Sequence, residues 1–475
     1  MYSGRSSREP ERWITARARF LGRDAVREWV GSARRQVGSD TVLARRLELL
    51  ERLYLDAASE QHPSVVRLRS WLQRRIVAFR PRFQGHRVSR AQIYDELRSN
   101  PDAAAREEAY RAEDELSRRL EPAVRDLLQA RNERARVLGF RNYPELRLRF
   151  EGLSVSRLKA LCQAAVAPLR KAIAPLRSEF FESTRRNAWF PWDLRFAQEK
   201  RAVLPAQAFP ARSMVAAVRS ALQRWGLPMH RLPIRVTLHD IPFGGLTFPV
   251  RVPTDIRILV PPNGGWDWYV AGFHEFGHAV HFSLIRQPGH LLRSPDVGFS
   301  GFAEGIADLF EELAMNPRWL AGRRGLDSDT VRVFRTGRAK EHLVRAAIAA
   351  NWVTTELDLY QNPQRDPAPA AMARLREQFG FGAYAPRSFL QVTYVTHPVY
   401  DQSYLLSLLF RKQIVRAISQ QLGNPLWPNA RVGPWLAENW FGPGARYDWI
   451  PRVREVTGQP FGVDAFLESV RSGTP

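Results

Sequence analysis

Three residues in the run 273–282 have the types and spacing that metal chemistry requires. His274 and His278 are four residues apart, so on a helix both imidazoles lie on one face, separated by about 40° around the axis. Two imidazoles placed in this way can bind a single tetrahedral Zn²⁺, which predicts one zinc ion per chain. Glu275 would then lie beside the open coordination position, where its carboxylate can accept a proton from a water molecule that the metal activates.

A catalytic zinc site needs a third protein ligand, and Glu304 is the candidate. It follows His278 at a distance that allows the first helix to end and a second helix to return antiparallel to it. Its apolar neighbours indicate a buried helix, where an unpaired carboxylate would be costly. Glu311 and Glu312 compete with it for this role. Asp308, one turn after Glu304, is expected to accept a hydrogen bond from the second nitrogen of a ligand histidine.

The elements that must position these residues are predominantly helical. Apolar residues recur at helical spacing through 1–225, for example in the leucine-rich stretch 43–55. Two short runs, 244–253 and 255–260, are bounded by glycine and proline, which predicts a pair of strands. The helical period returns after residue 265. These patterns predict a mainly α fold with one small antiparallel sheet.

The net charge of +23, from 71 basic and 48 acidic residues, could indicate nucleic-acid binding. However, the arginines alternate with glutamates and aspartates along the helices, as in the stretch 113–120. Opposite charges three or four residues apart are typical of solvated helix faces. We therefore expect no nucleic-acid partner, and a non-catalytic basic helical protein that binds nucleic acid is the alternative of another class.

The sequence also predicts a cytoplasmic location. Cys162 is the only cysteine, so the chain has no internal disulfide framework. No apolar segment follows the N-terminus as in a signal peptide, and no run of 18 apolar residues could span a membrane. We therefore expect a protein without a membrane partner.

Several segments resemble known zinc peptidases. The run 274–281 resembles the active-site helix of the thimet oligopeptidase and oligoendopeptidase F family, and 302–304 matches the third-ligand segment of that family. Residues 304–308 are also similar to the corresponding helix of the angiotensin-converting-enzyme family. Upstream, 131–143 (RNERARVLGFRNY) is similar to the "RN..A..LGF.NY" stretch of both families. The resemblance extends over roughly residues 10–420.

This resemblance implies a helical ellipsoid divided by a deep substrate channel, with zinc on the channel floor. The small antiparallel sheet would lie next to the zinc helix, where the strands at 244–260 could bind an extended peptide through main-chain hydrogen bonds. The expected partners are therefore short peptides that fit the channel.

Residues 393–405 look like the C-terminal His…Tyr…Tyr segment of the family. By that match Tyr404 would stabilise the oxyanion, Tyr400 would contact the substrate and His397 would donate a hydrogen bond to the peptide. The match has two departures. The gap between His397 and Tyr404 is shorter than in the family, and Ser407 replaces a further tyrosine of the oligopeptidases.

The expected function is that of a zinc metallopeptidase of the gluzincin type, in which metal-activated water attacks the scissile amide of short peptides. Endo-acting oligopeptidase activity is expected, with a metallocarboxypeptidase or peptidyl-dipeptidase as the alternative. Val395 favours endo-acting cleavage. It stands where the angiotensin-converting-enzyme family has a lysine, and carboxypeptidase activity usually needs a cation for the C-terminal carboxylate of the substrate. The expected organisation is one peptidase unit (1–475), with a mainly helical N-terminal part (1–225) and a catalytic part (226–475) that contains the sheet (244–260), the zinc helices (265–315) and a substrate-contacting segment (390–420).

Overall fold

The structure is a computed structural model, and part of the chain is described. The described residues are 9–38, 40–184, 188, 190–193, 196, 204–241, 244–294, 300–382 and 392–472. Positions 295–299 of the expected zinc helices and 390–391 of the expected substrate-contacting segment lie outside them.

Helices dominate the N-terminal part of the chain, as its periodicity predicts. They are α1 (Glu9–Leu21), α2 (Asp24–Gln36), α3 (Thr41–Ser59), α4 (Pro63–Ala78), α5 (Arg90–Ser99), α6 (Ala103–Ala112), α7 (Asp114–Val137), α8 (Tyr143–Glu151) and α9 (Val155–Thr184). The alternating charges form ion pairs along these helices, such as Arg111 with Glu107 at 2.7 Å. The pattern expected of solvated faces is therefore present.

A short antiparallel hairpin, which no sequence pattern predicted, interrupts these helices. It consists of β1 (Arg82–Phe83) and β2 (His86–Arg87). The two residues between the strands, Gln84 and Gly85, have φ values of +49° and +78°. Such a two-residue turn with positive φ matches the twist of a hairpin. The strands are two residues long, which is too short for an alternating pattern to reveal them.

A three-stranded sheet precedes the helices that carry the expected zinc ligands. Its elements follow two short 3₁₀ turns (Ala206–Ala208 and Ala211–Ser213) and α10 (Met214–Gln223), and they are β3 (Ile234–Leu238), β4 (Leu246–Arg251) and β5 (Asp255–Val260). The expected antiparallel pairing of β4 with β5 is confirmed, with Leu246 opposite Leu259. However, β3 pairs with the other side of β5 in parallel, which makes the sheet mixed, in the order β3-β5-β4.

The remaining described elements are again helical, and the mainly α prediction is confirmed. They are α11 (Trp266–Ser283), α12 (His290–Arg293), α13 (Ser300–Ala314), α14 (Pro317–Ala321), α15 (Ser328–Gln361), α16 (Ala368–Phe379), α17 (Val392–Thr396), α18 (Asp401–Leu422), α19 (Val432–Leu436), a π-helical turn (Ala437–Phe441), a 3₁₀ turn (Gly444–Arg446), α20 (Trp449–Thr457) and α21 (Asp464–Ser472). Within the described residues, no helix combines the length and the apolar character needed to cross a lipid bilayer.

Helix α13 packs between α11 and α18, and two glycines allow the close approach. A Cβ at Gly277 of α11 would lie 2.8 Å from the Cα of Ala307 on α13. A Cβ at Gly305 of α13 would lie 2.7 Å from the ring of Phe410 on α18. At the start of α11, the Trp266 indole donates to the carbonyl of Ala314 at the end of α13. The two helices therefore run antiparallel, as the sequence predicts, and their backbones approach closely at the level of the two histidines.

Candidate metal centre

The three expected zinc ligands lie on two neighbouring helices. α11 carries His274 and His278, whose ring centroids are 4.9 Å apart with an interplanar angle of 83°. α13 carries Glu304, and its Oε2 lies 3.5 Å from Nε2 of His274. One potential ligand atom from each residue lies within 4.8 Å of the other two. The structure therefore brings these three residues together.

The donor set and its spacing fit zinc. Two imidazole nitrogens and one carboxylate oxygen make a three-ligand set that leaves a fourth position open. With metal–ligand bonds of about 2.1 Å, tetrahedral coordination separates neighbouring ligand atoms by roughly 3.4 Å. The 3.5 Å between Nε2 of His274 and Oε2 of Glu304 agrees with that separation.

The other ring nitrogen of His274 faces two further carboxylates on α13. Nδ1 lies 2.9 Å from Oε1 of Glu311 and 3.5 Å from Oδ1 of Asp308. Asp308, the expected partner, lies near this nitrogen, but Glu311 is the closer one. Ser407 of α18 donates to Oδ2 of Asp308 at 2.7 Å, which orients that carboxylate. These residues also form a possible cation group with His274, and we interpret them as hydrogen-bonding groups that fix its tautomer and ring orientation.

Glu275 points from α11 towards the sheet. Thr247 of β4 donates from its hydroxyl to Oε2 of Glu275 at 2.7 Å. A Cβ at Gly245 would lie 2.5 Å from Cγ of Glu275, so only glycine fits at this position without a shift. Glu275 is 7% exposed, and its burial raises the pKa of the carboxyl above the usual value. A raised pKa brings a general base nearer to neutrality, where proton transfer is most effective.

The electrostatics of the centre favour a cation. Burial alone would lower the pKa of His274, but hydrogen bonds with Asp308, Glu304 and Glu311 raise it well above the usual value. Burial and the neighbouring His274 lower the pKa of His278 to about 4. His278 is therefore in the neutral state from which histidine binds a metal, whereas the carboxylates around His274 favour a positive charge at its position.

The expected C-terminal residues border this centre. Tyr400 donates from its hydroxyl to Oε1 of Glu304 at 2.8 Å. The ring of Tyr404 packs edge-on against Tyr400, with 5.8 Å between centroids, and its side chain is 57% exposed. His397 is exposed, and its ring centroid lies 5.6 Å from that of Tyr400. The structure therefore connects Tyr400 directly to Glu304, whereas Tyr404 and His397 lie further from it and face solvent.

Two hydrogen-bond partners in this centre, Glu311 and Thr247, were not predicted from the sequence in these roles. Glu311 is seven residues after Glu304, which places both on one face of α13. That spacing is visible in the sequence and could have identified Glu311 as a hydrogen-bond acceptor. The contact of Thr247 with Glu275 joins residues 28 positions apart, and no local pattern indicates it.

The comparisons with known proteins show the fold. A scan of the sequence against family models finds no match, and a search of curated proteins finds no relative. Among solved structures, a 3.1 Å X-ray structure of a protein assigned as an oligoendopeptidase F matches with a TM-score of 0.67 and 17% identity, over 97% of this chain and 86% of that chain. PZ peptidase A with an inhibitor matches with a TM-score of 0.70 and 14% identity, over 98% of this chain and 86% of that chain. The chain therefore shares the fold of these two structures along almost its whole length.

Proposed function

We propose that this chain is a zinc-dependent metallopeptidase that hydrolyses short peptides. The observation that supports this most strongly is that potential ligand atoms of His274, His278 and Glu304 lie within 4.8 Å of one another. Beside them, Glu275 points from α11 towards Thr247 of the sheet. Two solved structures with the same fold are named as peptidases, which favours peptide hydrolysis over other reactions of a zinc site.

His274, His278 and Glu304 would hold the ion. When bound, zinc polarises the scissile carbonyl and lowers the pKa of water. Glu275 is the general base in this proposal: its carboxylate accepts the proton of the attacking water and then delivers that proton to the leaving amine. Thr247 holds the carboxylate by one oxygen, so the other oxygen remains available for the transfer.

β4 would align the substrate. It is the strand at one edge of the sheet in the described residues, so its outer side can pair with an extended peptide. Phe248 and Val250 on this strand are 38% and 56% exposed, and they offer apolar contacts to substrate side chains. This is the role that the family resemblance implies for the strands at 244–260.

Tyr404, Tyr400 and His397 complete the proposed machinery. Tyr404 is the exposed phenol at the edge of the centre, and it would donate to the oxyanion that forms on the scissile carbonyl. Tyr400 would orient Glu304 through its hydrogen bond and contact the substrate. His397 would donate a hydrogen bond to the peptide backbone.

The decisive experiment separates metal binding from proton transfer. We expect the wild-type chain to cleave an internally quenched peptide, to lose this activity with a chelator and to regain it with Zn²⁺. Glu275→Gln should keep one zinc per chain by elemental analysis and lose activity by at least about a hundredfold, since the amide cannot accept the proton. Glu377→Gln, on an exposed face of α16, is the matched control and should behave as the wild type. Normal turnover by Glu275→Gln would refute the mechanism.

We further propose endo-acting cleavage, with a metallocarboxypeptidase or peptidyl-dipeptidase as the alternative. The position of the lysine in the angiotensin-converting-enzyme family is occupied by Val395, which is buried and cannot bind a substrate carboxylate. Mass spectrometry of products from one peptide, with a free and with an amidated C-terminus, distinguishes the alternatives. Equal cleavage of both forms at an internal bond supports an endopeptidase, whereas loss of cleavage on amidation supports the alternative.

A further inference from the structure

Val399, the residue before Tyr400, has an unusual backbone conformation. Its φ is +51°, a left-handed conformation that is strained for a β-branched residue. Two side chains hold it there. Its N–H donates to Oε1 of Glu356 at 2.7 Å, and its carbonyl accepts from the amide of Gln402. The next residue, Tyr400, then directs its hydroxyl to Glu304.

Glu356 has no part in the proposed chemistry, yet it is buried on α15 with 3% exposure. Burial and the nearby Asp401 raise the pKa of its carboxyl to about 8, whereas Arg131 lowers it. A buried carboxyl is costly unless it makes hydrogen bonds. Its bond to the N–H of Val399 indicates that this side chain holds the turn.

A second buried residue holds the other end of the segment that precedes Tyr400. Arg131 of α7 donates to the carbonyls of Tyr394 and Val395. Its guanidinium is itself held by two hydrogen bonds, of 2.8 and 2.9 Å, to the carboxylate of Glu60. This contact gives a structural role to the first residue of the 131–143 stretch, which the proposed chemistry leaves unused.

We propose that Glu356 is a positioning residue for Tyr400: it holds the left-handed turn at Val399 so that the phenol meets Glu304, while Arg131 anchors the start of the segment. The inference rests on the proposed function, because it takes Glu304 as a metal ligand. Glu356 is connected to Glu304 through the turn at Val399 and the hydroxyl of Tyr400, so its proposed effect passes through Tyr400.

Kinetics of variants at 356 and 400 test this inference. Glu356→Leu removes the acceptor at similar size, and we expect kcat to fall about tenfold with little change in KM, since Tyr400 loses its orientation. Glu356→Gln retains an acceptor oxygen and should keep kcat within about threefold. In a Tyr400→Phe background, Glu356→Leu should cause no further loss, because its effect passes through the missing hydroxyl. An equal loss in both backgrounds would show a general structural role and overturn the inference.

A second measurement keeps the test independent of the proposed activity. Hydrogen–deuterium exchange of the peptide covering 394–400 should accelerate in Glu356→Leu and stay near the wild-type rate in Glu356→Gln. Unchanged exchange in Glu356→Leu would overturn the inference, whether or not the wild type cleaves peptides. A wild type that cleaves no peptide would by itself refute only the proposed function. If Glu356→Leu does not fold, Gln402→Leu, which releases the carbonyl of Val399, replaces it in both measurements with the same expected outcomes.

Discussion

The close approach of α11 and α13 at Gly277 makes a quantitative prediction for Gly277→Ala. The added Cβ would lie 2.8 Å from the Cα of Ala307, 3.2 Å from the Phe310 ring and 3.3 Å from the Ile306 carbonyl. The first and last of these are backbone atoms that cannot rotate away. Overpacking of this kind costs about 1–3 kcal/mol, whereas alanine gains up to about 1 kcal/mol over glycine within a helix. We therefore expect a net loss of about 1–2 kcal/mol in the free energy of unfolding.

Gly31→Ala is the matched control, because Gly31 also lies within a helix, α2. The nearest atom to a Cβ there is the end of the Arg35 side chain at 3.8 Å. This variant keeps the gain in helix propensity without the clash, so we expect a stabilisation of up to about 1 kcal/mol. Urea unfolding of the chelator-treated proteins, monitored by circular dichroism, measures both changes in one assay.

If the proposed metal centre binds zinc, Gly277→Ala should also weaken that binding. Its neighbour His278 and the facing Glu304 belong to opposite sides of the interface that the added methyl group would separate. If about 1.4 kcal/mol of the clash is relieved by moving the helices apart, zinc affinity falls by about tenfold, which competition with a fluorescent chelator can measure. A Gly277→Ala protein that is as stable as Gly31→Ala and binds zinc normally would refute this account of the α11–α13 interface.

Three further outcomes are expected. Thr247→Val should lower kcat by about tenfold in a peptidase assay while leaving zinc content unchanged, because it removes the hydrogen bond that orients Glu275; unchanged kcat would contradict this role. Burial would raise the pKa of Glu60, but Arg131 lowers it to about 2, below the ordinary value of 4.5. Its stabilising contribution is therefore present above pH 4.5 and lost as the pH falls towards 2, by up to about 3 kcal/mol relative to Glu60→Gln in urea titrations; a stability difference that does not change with pH would contradict it. For Glu356 the sign is opposite, because burial raises its pKa from 4.5 to about 8: wild type should lose up to about 5 kcal/mol relative to Glu356→Gln between pH 5 and pH 9, and parallel pH profiles of the two proteins would contradict this.

The sequence predicts the part of the site that depends on helical geometry. The i, i+4 spacing places His274 and His278 on one face wherever α11 packs, and the antiparallel return to Glu304 follows from the chain length between two helices. Glu311 lies on the same face of α13 as Glu304, so its position could also have been predicted from helical spacing. The role of Thr247 could not have been predicted in this way, because its contact with Glu275 depends on how the sheet packs against α11.

The sheet shows the same limit. The glycine and proline residues that bound the two runs within 244–260 indicate the local pairing of β4 with β5, which a short turn joins. β3 joins the sheet from a position before β4 in the chain and pairs with β5 in parallel. Parallel partners are not joined by a turn, so nothing local in Ile234–Leu238 identifies the neighbour of this strand.

The net charge of +23 contrasts with the charge of the metal centre itself. Glu275, Glu304, Asp308 and Glu311 surround two imidazoles, and the next residue on α13, Glu312, instead accepts from Lys412 of α18 at 2.9 Å. The acids that face the centre are thus directed at the proposed metal site, while the adjacent Glu312 forms ion pairs with Arg411 and Lys412. This arrangement concentrates negative potential where a divalent cation would bind, although the chain as a whole is strongly basic. The distribution of charge over one helix, α13, therefore bears on function more directly than the overall sum does.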